Sequence, residues 1–132
     1  MTSSGSKILV VDDEADLRDT CERLLVRLGF RCLTADNAPR AIAMLDSEMP
    51  DLVVTDLSLP IGDGFEVSRH ALMHSPAIPV IIITAYDTVE NATRARDAGV
   101  SDYLRKPFSN HDLTEAIRRA LHRPSTPPVQ QT

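Results

Sequence analysis

Asp12 and Asp13 stand side by side after one apolar run, Asp56 ends a second, and Thr84 and Lys106 close two more. The runs are Ile8-Leu9-Val10-Val11, Leu52-Val53-Val54-Thr55, Val80-Ile81-Ile82-Ile83 and Tyr103-Leu104. Short β-branched stretches of this kind read as strands, and in a parallel sheet their ends emerge at one edge. Three carboxylates, a hydroxyl and an ammonium are therefore expected to meet at one spot. Three carboxylates without a cation would repel one another by several kcal/mol, so they require a metal. An all-oxygen set on loops suits a hard ion such as Mg²⁺, and a phosphoryl group is the natural guest beside it.

The elements that must position these groups alternate regularly. Strands are predicted at about 7-11, 31-35, 52-56, 80-84 and 102-105, with helices between them and after the last. Leu17, Cys21, Leu24, Leu25 and Leu28 lie on one helical face, and Gly29 stops that helix. Asn37 before Ala38-Pro39 predicts an N-cap with proline in the first turn, and Ala41, Ile42 and Leu45 form the buried stripe. A third helix is expected from Phe65 to Met73. The last opens with Ser109 and Asp112 in capping-box spacing and buries Leu113, Ile117, Ala120 and Leu121. The fourth, about 89-98, has only Val89, Ala92, Ala95 and Ala98 as anchors and should be the least firmly held.

Near-continuous apolar strands alternating with helices imply an α/β fold: a doubly wound, five-stranded parallel sheet with helices on both faces. Right-handed crossovers leave few topologies, and five βα units fit the flavodoxin-like order 2-1-3-4-5. Its switch crevice lies at the carboxyl ends of strands 1 and 3, where Asp12, Asp13 and Asp56 fall.

At 132 residues the chain suits one domain, expected at 7-122, after a flexible segment 1-6 and before a Pro-rich tail or linker at 123-132. A net charge of -5 argues against binding nucleic acid directly. The first apolar run is too short for a signal-peptide core or a membrane span, so a cytoplasmic location without membrane contact is expected. Cys21 and Cys32 lack CxxC spacing and read as small buried hydrophobes, not a disulfide.

Taken together, these residues resemble the receiver domains of two-component response regulators. The resemblance covers about 7-121 and rests on Val10-Val11-Asp12-Asp13-Glu14, Asp56-Leu57-Ser58-Leu59-Pro60 through Asp63-Gly64, Ile83-Thr84-Ala85 and Lys106-Pro107-Phe108, in family order and spacing. It implies that Asp56 accepts a phosphoryl group from a histidine kinase or phosphotransfer protein. It implies further that Asp12, Asp13, Asp56 and the Ser58 backbone carbonyl organise Mg²⁺, while Thr84 and Lys106 contact the phosphoryl oxygens. Tyr103 would switch rotamer on activation, and the Lys106-Pro107 peptide would be cis. Ser58 and Tyr86 would modulate loss of the phosphoryl group. Output, as a homodimer or through an effector domain, would use helix 4, strand 5 and helix 5, where charges at 94, 96, 97, 118 and 119 can pair. Gly62 departs from the family, which often has an apolar residue there.

Each residue taken alone has a plainer reading. Asp12-Asp13 could be a solvated loop, Asp56 a turn residue, Lys106 a snorkelling surface lysine, Thr84 an ordinary strand residue and Tyr103 a half-buried aromatic. Only their joint placement favours a site. His70 and His74 have the four-residue spacing of zinc ligands, but no third ligand is evident, and a solvated face is the simpler reading. The Arg94-Arg96 and Arg118-Arg119 pairs read as exposed helix charges.

Other functions fit less well. An aspartyl phosphatase of haloacid-dehalogenase type resembles a DxD arrangement with a general acid two beyond the nucleophile, where this chain has Ser58. A flavin carrier would need a hydroxyl- or glycine-rich loop where Asp12-Asp13-Glu14 stand. A pseudo-receiver used only for docking would not need Asp56, Thr84 and Lys106 intact.

Overall fold

The structure, a computed structural model, describes residues 5-122. The tail at 123-132 and most of segment 1-6 lie outside the described residues. Five strands, β1 (Lys7–Val11), β2 (Arg31–Ala35), β3 (Leu52–Asp56), β4 (Val80–Thr84) and β5 (Asp102–Arg105), alternate with α1 (Ala15–Arg27), α2 (Ala38–Glu48), α3 (Gly64–Leu72), α4 (Val89–Ala98) and α5 (Asn110–His122). All strand pairs are parallel and the order is β2-β1-β3-β4-β5, as predicted.

Side-chain alternation along the strands divides the core into two layers. Ile8, Val10, Val54, Ile81 and Ile83 meet α1 and α5; Leu9, Val11, Val53 and Ile82 meet α2, α3 and α4. Burial on both faces explains why β3 and β4 read as unbroken apolar runs.

Local chemistry sets the helix ends. Asn37 caps α2 by accepting the Arg40 N–H at 2.9 Å. Gly29, at φ +96°, takes the left-handed turn after α1 that other residues avoid. α3 begins one residue before the predicted Phe65. Asp63 accepts the Glu66 N–H at 2.9 Å while Glu66 Oε1 accepts the Asp63 N–H at 3.3 Å, a reciprocal cap that starts the helix at Gly64. Ser109 and Asp112 form the predicted box at the start of α5.

α4 is held even less firmly than its sequence suggests. Of the four expected anchors only Ala95 is buried; Ala92 is half-buried, Ala98 is exposed and Val89 is 85% exposed. Both cysteines carry free thiols, Cys21 buried and Cys32 half-buried. Burial, the main cause in each case, raises their pKa values, to about 11 for Cys21 and about 12 for Cys32. No described helix is long and apolar enough to cross a membrane.

Candidate functional site

The strand register carries the reactive residues to one edge. Val11 pairs with both Ala35 and Thr55, Asp56 with Ile83, and Thr84 with Arg105. The ladder runs on into the loops: the Asp12 N–H donates to Ala35 O, Leu57 N–H to Ile83 O and Lys106 N–H to Thr84 O. The backbone itself therefore fixes where Asp12, Asp56 and Lys106 start.

The carboxylates of Asp12, Asp13 and Asp56 converge, with one oxygen of each within 4.8 Å of the others. Asp12 is fully buried, Asp56 is 5% exposed and Asp13 faces solvent. The Lys106 ammonium reaches into the group, 2.9 Å from Asp56 Oδ2, 2.8 Å from Asp12 Oδ2 and 3.3 Å from Glu14 Oε1. Asp56 Oδ1 accepts the Ser58 N–H at 3.1 Å, and Asp12 Oδ1 accepts the Glu14 N–H at 2.8 Å. Asp12 Oδ2 is buried beside the lysine without an aligned hydrogen-bond donor.

Burial disfavours charge on both partners. It lifts the Asp12 pKa above the ordinary 3.8 even though Lys106 and the Glu14 N–H pull the other way. Burial alone would lower the Lys106 pKa, but the close carboxylates of Asp12 and Asp56 outweigh it and the ammonium is held above its ordinary value. A half-desolvated anionic pocket holding one positive charge has room, electrostatically, for a second cation. The hard oxygen donors and the unaligned Asp12 oxygen fit Mg²⁺.

The Thr84 hydroxyl lies at the same edge, fully buried, and accepts the Tyr86 N–H at 2.9 Å. The described contacts do not join it to the acids or to Lys106. Tyr103 pairs with Ile82 one layer down, its ring half-buried in the core layer that includes Ala95. Its hydroxyl is buried without a partner, and burial together with the nearby Asp87 charge raises its pKa. The Tyr86 side chain is 64% exposed. Ser58 is exposed in a loop bridged to Asp63, and the Lys106-Pro107 peptide is cis, as the resemblance implies.

Several supporting residues escaped the sequence reading. Arg18 donates to the Asp12 carbonyl at 2.7 Å, clamping the loop before α1. At Gly64 a Cβ would meet the Asp56 carbonyl oxygen, so only glycine lets α3 begin this close to β3. Gly62, the family departure, sits at φ +75°, where a Cβ would lie 2.6 Å from the Ala38 Cβ. The loop is thus tightly seated. The signal was present in Asp63-Gly64 followed by Glu66, a cap pattern the predicted start at Phe65 passed over.

Two surface readings need completing. Arg94 and Arg119 are exposed as expected, but each has a partner the sequence did not name: Arg94 stacks on Phe65 at 4.0 Å and Arg119 pairs with Asp102 at 2.6 Å. His70 and His74 do have a third group between them, Asp46. It comes from α2, a neighbour in space that the sequence does not place.

Residues 8–118 match the family model described as response regulator receiver domain. The chain is 38% identical over 121 residues to the response regulator MprA of Mycolicibacterium vanbaalenii, covering 92% of this chain and 52% of that protein. It is 35% identical to the phosphate regulon transcriptional regulatory protein PhoB of Pseudomonas aeruginosa, covering 90% and 53%. The chain thus spans about half the length of these two relatives. Among solved structures, a CheY-like receiver domain protein from Methanospirillum hungatei superposes with a TM-score of 0.84 at 28% identity, covering 89% of this chain and 94% of that one. A receiver domain protein from Clostridium thermocellum gives 0.83 at 33%, covering 89% and 95%.

Proposed function

The chain belongs to the receiver-domain family of two-component response regulators, and from that premise we propose that Asp56 is its phosphoacceptor. The observation that carries this reading is the Lys106 ammonium held 2.9 Å from Asp56 Oδ2 inside a pocket of two further acids. A carboxylate oxygen of Asp56 attacks the phosphorus of a kinase phosphohistidine whose other ring nitrogen is protonated; the P–N bond breaks with its electron pair staying on the ring nitrogen, and the products are an acyl phosphate and a neutral imidazole. Lys106 and the Thr84 hydroxyl contact the transferred oxygens. Asp12, Asp13, Asp56 and the Ser58 carbonyl would hold Mg²⁺, whose hard charge suits these oxygen donors. When bound, that ion neutralises charge developing on the phosphoryl oxygens.

The signal leaves through α4, β5 and α5. A dianion on Asp56 draws the Thr84 hydroxyl away from the Tyr86 N–H, opening space for Tyr103, and the weak seating of α4 lets that helix shift at low cost. Arg94 and Arg119 are bound within the chain and Arg96 lies 3.6 Å from Asp97, an exposed ion pair that can exchange partners; that pair and Arg118 are the charges offered to a second copy or an effector domain. We place the receiver unit at 7-122, the tail 123-132 as a linker, and its action in the cytoplasm with a histidine kinase or phosphotransfer protein. One of the two relatives, PhoB, is named as a transcriptional regulatory protein; in our reading DNA contact belongs to other domains, since this chain is acidic.

Amide exchange with and without beryllofluoride tests the output, and the expected changes concentrate on α4, β5 and α5. Changes confined to the 12-13, 56-64 and 84-87 loops would contradict it. Mg²⁺ titration tests the site: Asp13→Asn should remove most of the response at the Asp56 and Ser58 amides, and an unchanged titration would remove Asp13 as a ligand.

A further inference from the structure

We propose that Asp46, His70 and His74 form a binding site for a divalent transition metal of the zinc class, joining the C-terminal ends of α2 and α3. Asp46 Oδ1 lies 2.8 Å from His70 Nε2 and 3.0 Å from His74 Nε2, and the three atoms all fall within 4.8 Å of one another. Donors about 2.0–2.1 Å from a common ion sit about 3 Å apart around a tetrahedral or octahedral centre, so the two Asp46–histidine spacings already match those of a ligand set. The rings meet edge to face at 64°, centroids 5.7 Å apart, with both distal nitrogens turned to the same carboxylate.

The backbone explains the convergence. His70 lies in the last turn of α3, and the turn continues past Met73, where the His74 N–H donates to Ala71 O at 3.2 Å. The four-residue spacing therefore keeps both imidazoles on one face, the arrangement of helical zinc ligands. Asp46 reaches them from the last turn of the neighbouring helix α2, which runs in the same direction as α3 because both follow parallel strands on one face of the sheet. His74 is mostly buried, its side chain 15% exposed, while Asp46 is open to solvent, leaving coordination positions for water.

The donor set decides the metal class. Two imidazoles and one carboxylate suit zinc, nickel or copper far better than Mg²⁺ or Ca²⁺, which want oxygen. The two cation sites also lie at opposite edges of the sheet. α3 starts beside Asp56, where the Gly64 N–H donates to Leu57 O, so its C-terminal end lies at the far side; α2 ends beside the start of β1, where Lys7 Nζ donates to Glu48 O at 2.7 Å. Zinc here would tie two helices together without touching the Asp56 pocket, and the proposal is independent of the phosphoacceptor reading.

The plain alternative is that Asp46 only accepts two hydrogen bonds, which requires a proton on each Nε2. A metal requires the opposite tautomer, with Nε2 deprotonated. Long-range ¹H–¹⁵N spectra of the full chain at pH about 7.5, where free imidazoles are mostly neutral, separate the two. One equivalent of Zn²⁺ should convert His70 and His74 to the Nδ1-protonated form before His111 or His122 respond, and should raise the melting temperature. His74→Gln and Asp46→Asn, both compatible with the same fold by circular dichroism, should each weaken zinc binding by at least about tenfold. Retention of the Nε2 protons at one equivalent, or wild-type affinity in His74→Gln, would overturn the site.

Discussion

α5 and α4 cover the two faces of the same edge of the sheet, yet they are held very differently. α5 buries Leu113, Ala116, Ile117 and Ala120, whereas α4 buries Ala95 alone and leaves Val89 in solvent. Each large apolar side chain withdrawn from water contributes about 1.5–3 kcal/mol, so α5 is anchored by several kcal/mol that α4 lacks. The lesson concerns how a small domain can move one part without loosening the rest. The acidic pocket sits on the firm side, on backbone ladders that fix β1, β3 and β4, while the helix free to respond is seated by methyl groups.

The sharpest way to break this comparison is a pair of truncations. Ile117→Ala should cost about 2–5 kcal/mol of unfolding free energy, because a fully buried side chain leaves a cavity. Val89→Ala should stay within about 0.5 kcal/mol. Denaturant melts giving comparable losses would show that α4 is anchored after all.

A slightly smaller effect is expected at the pocket. Lys106→Met leaves Asp12 and Asp56 facing each other and should cost about 2–3 kcal/mol in Mg²⁺-free buffer, with added Mg²⁺ restoring part of it. Since the fold raises the Lys106 pKa, its contribution is fully present below the ordinary 10.5 and is lost as pH climbs through the higher folded value. The stability gap between wild type and variant should therefore narrow above about pH 10.5. A gap independent of pH would show that the ammonium's charge is not what stabilises the pocket.

The smallest effect concerns Tyr86. Its side chain is mostly exposed, so shielding of a phosphoryl group on Asp56 is partial, and Tyr86→Ala should shorten the phosphoryl lifetime by a few-fold only. An equal or longer lifetime would assign it another role.

Much of this was legible before any coordinates. Apolar runs ending in Asp12, Asp56, Thr84 and Lys106 define a sheet edge because parallel strands share a direction, and the fold order follows from crossover handedness. Helix stripes and the Asn37, Gly29 and Ser109 signals are local chemistry. What stayed hidden is whatever joins distant segments. Asp46 meets His70 and His74 across two helices, Arg94 finds Phe65, Arg119 finds Asp102, and Glu14 swings back to Lys106. Periodicity tells which face of a helix is buried; it does not tell which neighbour a polar face meets. The near-total exposure of Val89 was hidden for the same reason, since its spacing promised burial and tertiary packing withheld it.

The central claim is that Asp56 alone receives the phosphoryl group. The direct measurement is labelling by a small phosphodonor or a histidine kinase, with and without Mg²⁺, followed by mass-spectrometric mapping. The account predicts one acid-stable, base-labile phosphoryl group on Asp56, formed only with Mg²⁺ and lost in Asp56→Asn. Label persisting in that variant, or mapping to Ser58, would contradict it.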